Sequence, residues 1–565
     1  MSHKLSKISL ALLSATALNM ATSVNAQESQ QSSVDTKENV EVIEVTGIRS
    51  SLTSALAEKR ETTNLVEVIQ AHDIGKLPDQ NLAEVLENIT GVQITRTAGV
   101  GTGVQIRGTN SNRVEINGVS TVGSGSGRNG IDFEDVNASI IAAVEVTKSP
   151  EAKTIEGSVG GTVNLRTIRP LQLSETLGSI RVQGEDSSLS NEDIKPRISG
   201  AFGDNWDTEH GKIGFVISGS YTEQEAVSLR PRTDRDVLTN INGQEFQGIQ
   251  FLVQEQENDD YETTNIATTF EWAPNDDMKF HLDAIINSQE RSRDSYRLQA
   301  SGVSSLVGVS VPDEFETIKY GSLGGTQIPD TLAAYKGQLE PDLSVNASNP
   351  NLRFSSDTAA RVTDSEIFVF GGEWQGDNLL ISAEISSSTS DTVSPNLSST
   401  LNFINPNLPL AARVQEAGDN STRTDVVLHN GIETLEDAIA SVPGADSGFI
   451  YNDNGVPFRY DLSGNALAFG INENSPYAPS AAELTDPENV VLDAVSYGRN
   501  TTDNSEDAIR IDSTYFFDSG IITSVDFGFR YNESSSEFED IDDSFGFGEM
   551  SDSPNGSLFS ELLVK

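Results

Sequence analysis

Cysteine is absent from the 565 residues, so disulfides, thiolate-bound zinc and thiol catalysis are excluded. Basic residues are scarce: 37 Lys and Arg stand against 85 Asp and Glu, a formal net charge of -48. A surface of that sign repels phosphate and excludes a nucleic-acid partner. Histidine is sparse as well, five residues in all, with no His-Glu-x-x-His or similar cluster. No metal site, no catalytic residue and no cofactor is therefore expected. Long apolar runs are missing too, since no window offers the ~20 apolar residues of a membrane-spanning helix. The nearest approach is the start of the chain, where His3, Lys4 and Lys7 precede a mostly apolar Ile8 to Met20 and the small residues of Val24-Asn25-Ala26. This is the pattern of a secretory signal over residues 1–26, with the mature chain beginning near Gln27.

What the chain does have is alternation. Ile213, Phe215, Ile217 and Tyr221 oppose Lys212, Gly214, Ser218 and Ser220. Phe280, Leu282, Ala284 and Ile286 oppose Lys279, His281, Asp283 and Asn287, and the same period runs through Leu379 to Ser386 and Thr523 to Tyr531. A period of two is a half-buried strand, in a soluble sandwich or in a membrane barrel that shows every second side chain to lipid. The connections separate the two. Short turns are expected at Gly203 to Gly211, Ala273 to Asp277, Gln375 to Asn378 and Asp518 to Gly520. Long segments lie at Ala226 to Asp260, Arg291 to Ala360 and Asp391 to Asn504. Short turns on one side and long loops on the other are the habit of bacterial outer-membrane barrels. Phe449, Tyr451, Phe458, Tyr460 and Tyr477 in the last long segment are candidates for stacking on a ligand. Glu533 to Asp552 reads as an acidic loop.

Ahead of the strands, a small α/β domain is expected over residues 61–170. Asn81 and Glu84 form a capping box, Leu82, Val85, Leu86 and Ile89 share one helical face, and Gly91 supplies a left-handed stop. Short strands flank this helix at Leu65 to Gln70, Val92 to Thr95, Val104 to Arg107, Arg113 to Ile116, Ala143 to Lys148 and Gly161 to Arg166. Asn117-Gly118 is a turn dipeptide with positive backbone angles.

The blocks ITGVQI before Thr95, IRG at Ile106 to Gly108, RVEINGV at Arg113 to Val119, VEVTKSPEA at Val144 to Ala152 and EGSVGGTVNLRT at Glu156 to Thr167 resemble, in that order, the plug domain of TonB-dependent outer-membrane receptors. Glu41, Val42, Ile43, Glu44, Val45 and Thr46 resemble the TonB box of that family. Such an unpaired, proline-free segment can add a strand to a partner's sheet edge, and it lies in a flexible segment over residues 27–60. The implied fold is mainly β: a small α/β plug domain followed by an incomplete antiparallel transmembrane β-barrel over residues 171–565, the N-terminal part of a 22-stranded type with long extracellular loops. The resemblance implies a location in the outer membrane of a Gram-negative bacterium, with its lipids and the periplasmic domain of TonB as partners, and active uptake of a scarce extracellular solute without covalent chemistry. It places the plug loops Thr97, Gly99, Gly101, Gly103, Ser120, Gly123, Gly125 and Arg128 toward the solute, and makes Arg107, Arg113 and Arg166 candidates to hold the plug against wall carboxylates.

The variant KLPDQNLAEVLENITGVQI resembles receptors of carbohydrate scavengers, so an oligosaccharide is the leading solute and an iron-siderophore the alternative. A secreted carbohydrate-binding or carbohydrate-active β-protein is a third possibility. About nine or ten strands are expected before Lys565, fewer than the ~22 of a barrel wide enough for a plug. The chain is therefore expected to be a truncated N-terminal piece.

Overall fold

The computed structural model describes residues 59–60, 64–70, 82–97, 100–124, 133, 141–186, 194–235, 238–241, 243–301, 310–343, 349–416, 423–428, 432, 434–451, 455–464, 467–519 and 521–546. The signal, the box at Glu41 to Thr46, Asn81, Gly99, Gly125 and Arg128 lie outside these residues. No described helix is long and apolar enough to cross a membrane.

The first described elements are β1 (Val66–Gln70), α1 (Leu82–Glu87), β2 (Val92–Thr97), β3 (Val100–Ile106), β4 (Asn112–Ile116), β5 (Val119–Ser120), β6 (Ile141–Thr147) and β7 (Gly161–Thr167). Five of them form a sheet in the order β1-β6-β7-β4-β5, with β4 and β7 parallel, while β2 and β3 make a separate hairpin. Helix α1 buries Leu82, Ala83, Val85 and Leu86, the face its spacing predicts. The chain turns after it at Gly91, whose φ of 79° only glycine adopts without strain. Asn117 and Gly118, at φ 53° and 81°, close the turn between β4 and β5 as the dipeptide predicts. Arg107 also has a positive φ, 54°, which its residue type gives no reason to expect.

The second body is a long antiparallel wall. It starts with β8 (Leu177–Glu185), β9 (Lys195–Thr208) and β10 (Gly211–Leu229), followed in a first connection by β11 (Arg232–Asp234), β12 (Leu238–Ile241) and β13 (Gln244–Gln247). Strands β14 (Phe251–Asn275) and β15 (Met278–Ser301) lead to a second connection with β16 (Ser310–Ile318), β17 (Ser322–Leu323), β18 (Thr326–Gln327) and β19 (Thr331–Leu339). Strands β20 (Asn351–Gln375) and β21 (Leu379–Phe403) lead to a third, with β22 (Leu410–Glu416), β23 (Arg423–Leu428), α2 (Leu435–Ser441), β24 (Ala445–Tyr451), β25 (Phe458–Asp461), β26 (Ala468–Ile471) and α3 (Ala481–Leu484). Strands β27 (Val490–Phe516) and β28 (Ser524–Gly546) complete it. The wall runs in the order β8-β9-β10-β14-β15-β20-β21-β27-β28, with β11 added to β14.

Two expectations are corrected here. The strands are longer than the alternation indicates, so much of each expected long loop, and residues 533–546 of the expected acidic loop, are strand. Toward the long connections the outward positions are polar as well as the inward ones, which erases the hydropathy period without ending the strand. The connections also fold among themselves. Strands β12, β13, β19, β25 and β26 form a sheet with β16 on its side, and its core buries Phe458 and Tyr460 at 1% exposure. Those two aromatics are packing residues and are not available to a ligand; Tyr477 is half-buried, and the side chains of Phe449 and Tyr451 lie outside the described residues.

One face of the wall carries apolar side chains to the outside near the short turns: Ile266 and Phe270 on β14, Leu282 and Ile286 on β15, Phe368 and Phe370 on β20, Phe527 and Phe529 on β28. All three tryptophans of the chain, Trp206, Trp272 and Trp374, sit within the last residues of β9, β14 and β20 at that same end, exposed by 37–45%. Farther along the same outward face, carboxylates line up in register. Glu223, Glu262 and Glu290 are direct cross-strand neighbours, and so are Asp364, Asp391, Asp503 and Glu537.

Candidate functional site

The opposite face of the wall holds the small domain. Ala267 of β14, Ile285 of β15 and Ile367 and Val369 of β20 belong to the same buried cluster as Leu82, Leu86, Ile106, Val144 and Leu165. Wall and small domain thus share one core, and its burial is the main attraction between them.

Polar contacts then fix the register of that packing. Asp283 of β15, 1% exposed, receives Arg169 at 3.0 Å, the hydroxyl of Thr269 at 2.8 Å and the Asn117 amide at 3.4 Å. Asn117 is held in turn by Thr167, donating to its Oγ1 at 2.9 Å and accepting from its N–H at 3.0 Å. Glu271 of β14, fully buried, pairs with Lys279 at 3.0 Å and accepts from the Leu171 N–H at 2.9 Å. Asn205 of β9 donates to the Pro170 and Leu173 carbonyls at 2.9 and 2.8 Å. These contacts lie toward the short turns. Toward the long connections, the Val122 N–H donates to Ser388 Oγ at 3.2 Å and Asn504 donates to the Gly123 carbonyl at 2.8 Å.

Between the two sets sits a charge cluster. Arg113 of β4 lies 3.7 Å from Glu506 of β27, donates to the Glu156 carbonyl at 3.3 Å and bonds Ser120 Oγ. Glu506 also accepts from Asn532 of β28 at 2.5 Å, and Arg530 donates to Asn532 at 2.7 Å. Glu115, two residues from Arg113, is the buried acid of the group. Burial pushes its carboxyl up to about 7, while the guanidinium groups of Arg113, Arg530 and Arg510 pull the other way. Desolvation is the largest influence, and none of these guanidinium groups makes an ion pair with the carboxyl among the described contacts.

Of the arginines singled out in the sequence, Arg113 is placed against a wall carboxylate. Arg107 donates to the Lys148 carbonyl at 2.9 Å, and Arg166 pairs with Glu145 at 3.9 Å; both contacts are inside the small domain. Arg169, not singled out, makes the tightest ion pair across the boundary, because its partner is far away in sequence and no spacing announces it. Among the glycine-rich loops, Ser120 is 2% exposed and serves Arg113, and a Cβ on Gly103 would stand 2.5 Å from Thr95 Oγ1. Both residues are explained by packing within the domain. Gly101 lies on β3 and Thr97 ends β2, while Gly123 presents its carbonyl to Asn504.

A small α/β domain fixed by a shared core and by buried ion pairs to one face of an antiparallel wall defines a plugged β-wall. Residues 58–162 match the family described as TonB-dependent Receptor Plug Domain. This stretch is a plug domain of that family, and the antiparallel wall follows it in the chain. No curated protein matches the chain. Among solved structures it is similar to the ferric citrate transporter FecA in its unliganded form, at 11% identity and a TM-score of 0.28, covering 86% of this chain and 76% of that one. It is similar to the siderophore receptor PiuA from Acinetobacter baumannii at 12% identity and a TM-score of 0.23, covering 84% and 62%. It is similar to BauA, the ferric preacinetobactin receptor from the same species, at 11% and 0.27, covering 86% and 60%. The chain thus spans 60–76% of the length of these three.

Proposed function

We propose that the chain belongs to an outer-membrane receptor for active uptake of a scarce solute, most simply an oligosaccharide, with energy delivered by TonB to Glu41 to Thr46. The observation that carries the reading is the plug match over residues 58–162, joined to a seat in which plug and wall share one core. In this reading the plug closes the path, a solute engages from the side of the long connections, and a pull on the box rearranges the plug. Arg113, Asn117 and Arg169 are the contacts that must give way. The role is binding and passage, with no bond made or broken in the solute.

The outer membrane is supported by the apolar outward band and by the three tryptophans at its short-turn edge, since aromatic side chains gather where hydrocarbon meets water. An oligosaccharide is supported by the sequence of the helix-bearing segment of the plug. That segment, KLPDQNLAEVLENITGVQI over Lys76 to Ile94, resembles receptors of carbohydrate scavengers.

The test is growth and labelled-solute uptake in cells carrying the intact gene, no gene, or the gene lacking residues 41–46, on neutral and acidic oligosaccharides and under iron limitation. Uptake should vanish without the box or on collapse of the proton gradient. Uptake that persists in both cases would sink the reading, and a requirement seen only under iron limitation would replace the sugar with a ferric chelate.

A further inference from the structure

Beyond the plug, on the same face of the wall, the side chains of β14 and β15 change from apolar and neutral to charged, and the charges are layered. Three carboxylates form the lower layer: Glu255, Glu257 and Asp259, exposed by 4%, 5% and 0%. Guanidinium groups lie over them. Asp259 takes Arg291 at 2.9 Å and Arg293 at 3.1 Å. Glu257 takes Arg230 at 2.5 Å and Arg293 at 3.2 Å. Glu255 takes Arg232 at 3.1 Å and Arg297 at 2.9 Å. Every buried carboxylate is thus covered by two arginines, and the arginines are the solvent-facing partners, up to 49% exposed at Arg230. Arg291 is further oriented by Tyr261, its guanidinium carbon 5.0 Å from the ring centre.

A bracing network needs one cation for each buried anion. Here five guanidiniums stand over three buried carboxylates, with the more exposed Asp357 at 3.3 Å from Arg297 as the one further partner. Each guanidinium carries five N–H donors in a planar fork, more than the buried carboxylates beneath can use. Arg230, Arg232 and Arg293 keep 49%, 44% and 36% of their side-chain surface exposed. In a chain of net charge -48, this is a fixed, locally positive strip whose donors are preorganised for flat oxyanions.

We propose that this arginine strip is an oxyanion subsite, and that the solute taken up carries carboxylate groups: an acidic oligosaccharide or a ferric carboxylate chelate. The proposal rests on the uptake reading and narrows it. The buried Glu255, Glu257 and Asp259 hold the strip rigid, and the more exposed guanidinium groups of Arg230 and Arg232 grip the solute's carboxylates.

Binding is measured on outer membranes from cells expressing the full gene, without energisation, so that the result does not depend on TonB. The probes are tetragalacturonate, the same tetramer with its carboxyls methyl-esterified, and ferric citrate. An anionic probe should bind at least about tenfold more tightly than the ester, and its advantage should shrink as salt rises toward about 1 M, where charges are screened within ~3 Å. The double variant R230Q/R232Q leaves Glu255 and Glu257 with one arginine each and Asp259 with both of its own, and should close most of the gap between acid and ester. Tetragalacturonate binding alone assigns the site to acidic sugars; ferric citrate binding alone, with the same arginine dependence, assigns it to chelates. Equal binding of acid and ester, no binding of either anion, or an acid preference untouched by R230Q/R232Q overturns the proposal. The comparison of acid with ester and its salt dependence need no variant, so a variant that fails to assemble does not block the test. Failure of the uptake reading shows separately, as box-independent entry in energised cells.

Discussion

Glu115 has the least comfortable side chain in the plug's seat. Its carboxyl is buried and pushed up to about 7, above the unfolded-state value of 4.5, so the folded plug holds this proton more tightly than the unfolded chain does. The associated stability is fully present below about pH 4.5 and is lost as pH rises toward 7, a change on the order of 3 kcal/mol. Glu115→Gln should flatten this loss and leave the plug more stable than the parent at pH 8, read as the urea midpoint for plug release by protease digestion across pH 4 to 8. Equal slopes in parent and variant would show that burial does not raise the Glu115 carboxyl in the folded plug. A second expectation concerns Asp283, where three donors converge. Asp283→Ala strips Arg169 of its carboxylate and should weaken plug retention by about 3 kcal/mol, because a partly buried cation is left without its partner; limited proteolysis at fixed urea reads the loss. At this scale the sequence was legible where chemistry is local. Asn117-Gly118 and Gly91 announce their backbone angles by residue type, and Arg113 stands in a recognisable block. Arg169 and Asp283 could not be paired in advance, since the two residues meet only when β15 passes beneath the plug.

Among the elements, the wall strands divide into a turn-proximal stretch whose outward side chains are apolar and a turn-distal stretch whose outward side chains are polar. Alternation of hydropathy reports only the first, which is why the sequence yields the turn-proximal half of each strand and reads the rest as loop. The turn-distal half has its own cost. Like charges directly across a ladder destabilise it by about 0.2–1 kcal/mol for each pair, and Glu223-Glu262-Glu290 and Asp364-Asp391-Asp503-Glu537 stack several in line. Raising salt from about 0.01 M to 1 M shortens the screening length from ~30 Å to ~3 Å and should raise the unfolding midpoint of the wall. Glu262→Gln, which neutralises the centre of the first row, should shrink that salt response. A midpoint that falls with salt would mean that the rows contribute nothing.

For the molecule as a whole, the order of its described parts was readable from the chain: a small α/β domain and then a succession of strands, each with a composition of its own. What lay out of reach was the folding of the long connections upon one another, because the core around Phe458 and Tyr460 joins segments from three separate connections. The apolar band gives the prediction at this scale. Phe370→Lys, at an outward position within the band, should destabilise insertion into lipid vesicles by about 2–4 kcal/mol. Tyr296→Lys, on the outward face of β15 beyond the band, should stay within about 0.5 kcal/mol. Equal effects at the two positions would remove the band as a membrane surface.

Strand β1 sits at the margin of the plug sheet and, among the described strands, has β6 as its single neighbour, while the buried ion pair of Arg169 with Asp283 lies past β7. A mechanical load arriving through the chain ahead of Val66 therefore meets five residues that can peel away one rung at a time. Force is spent in sequence on single backbone bonds, and the anchoring charges at the far end of the domain are spared until the margin has come loose.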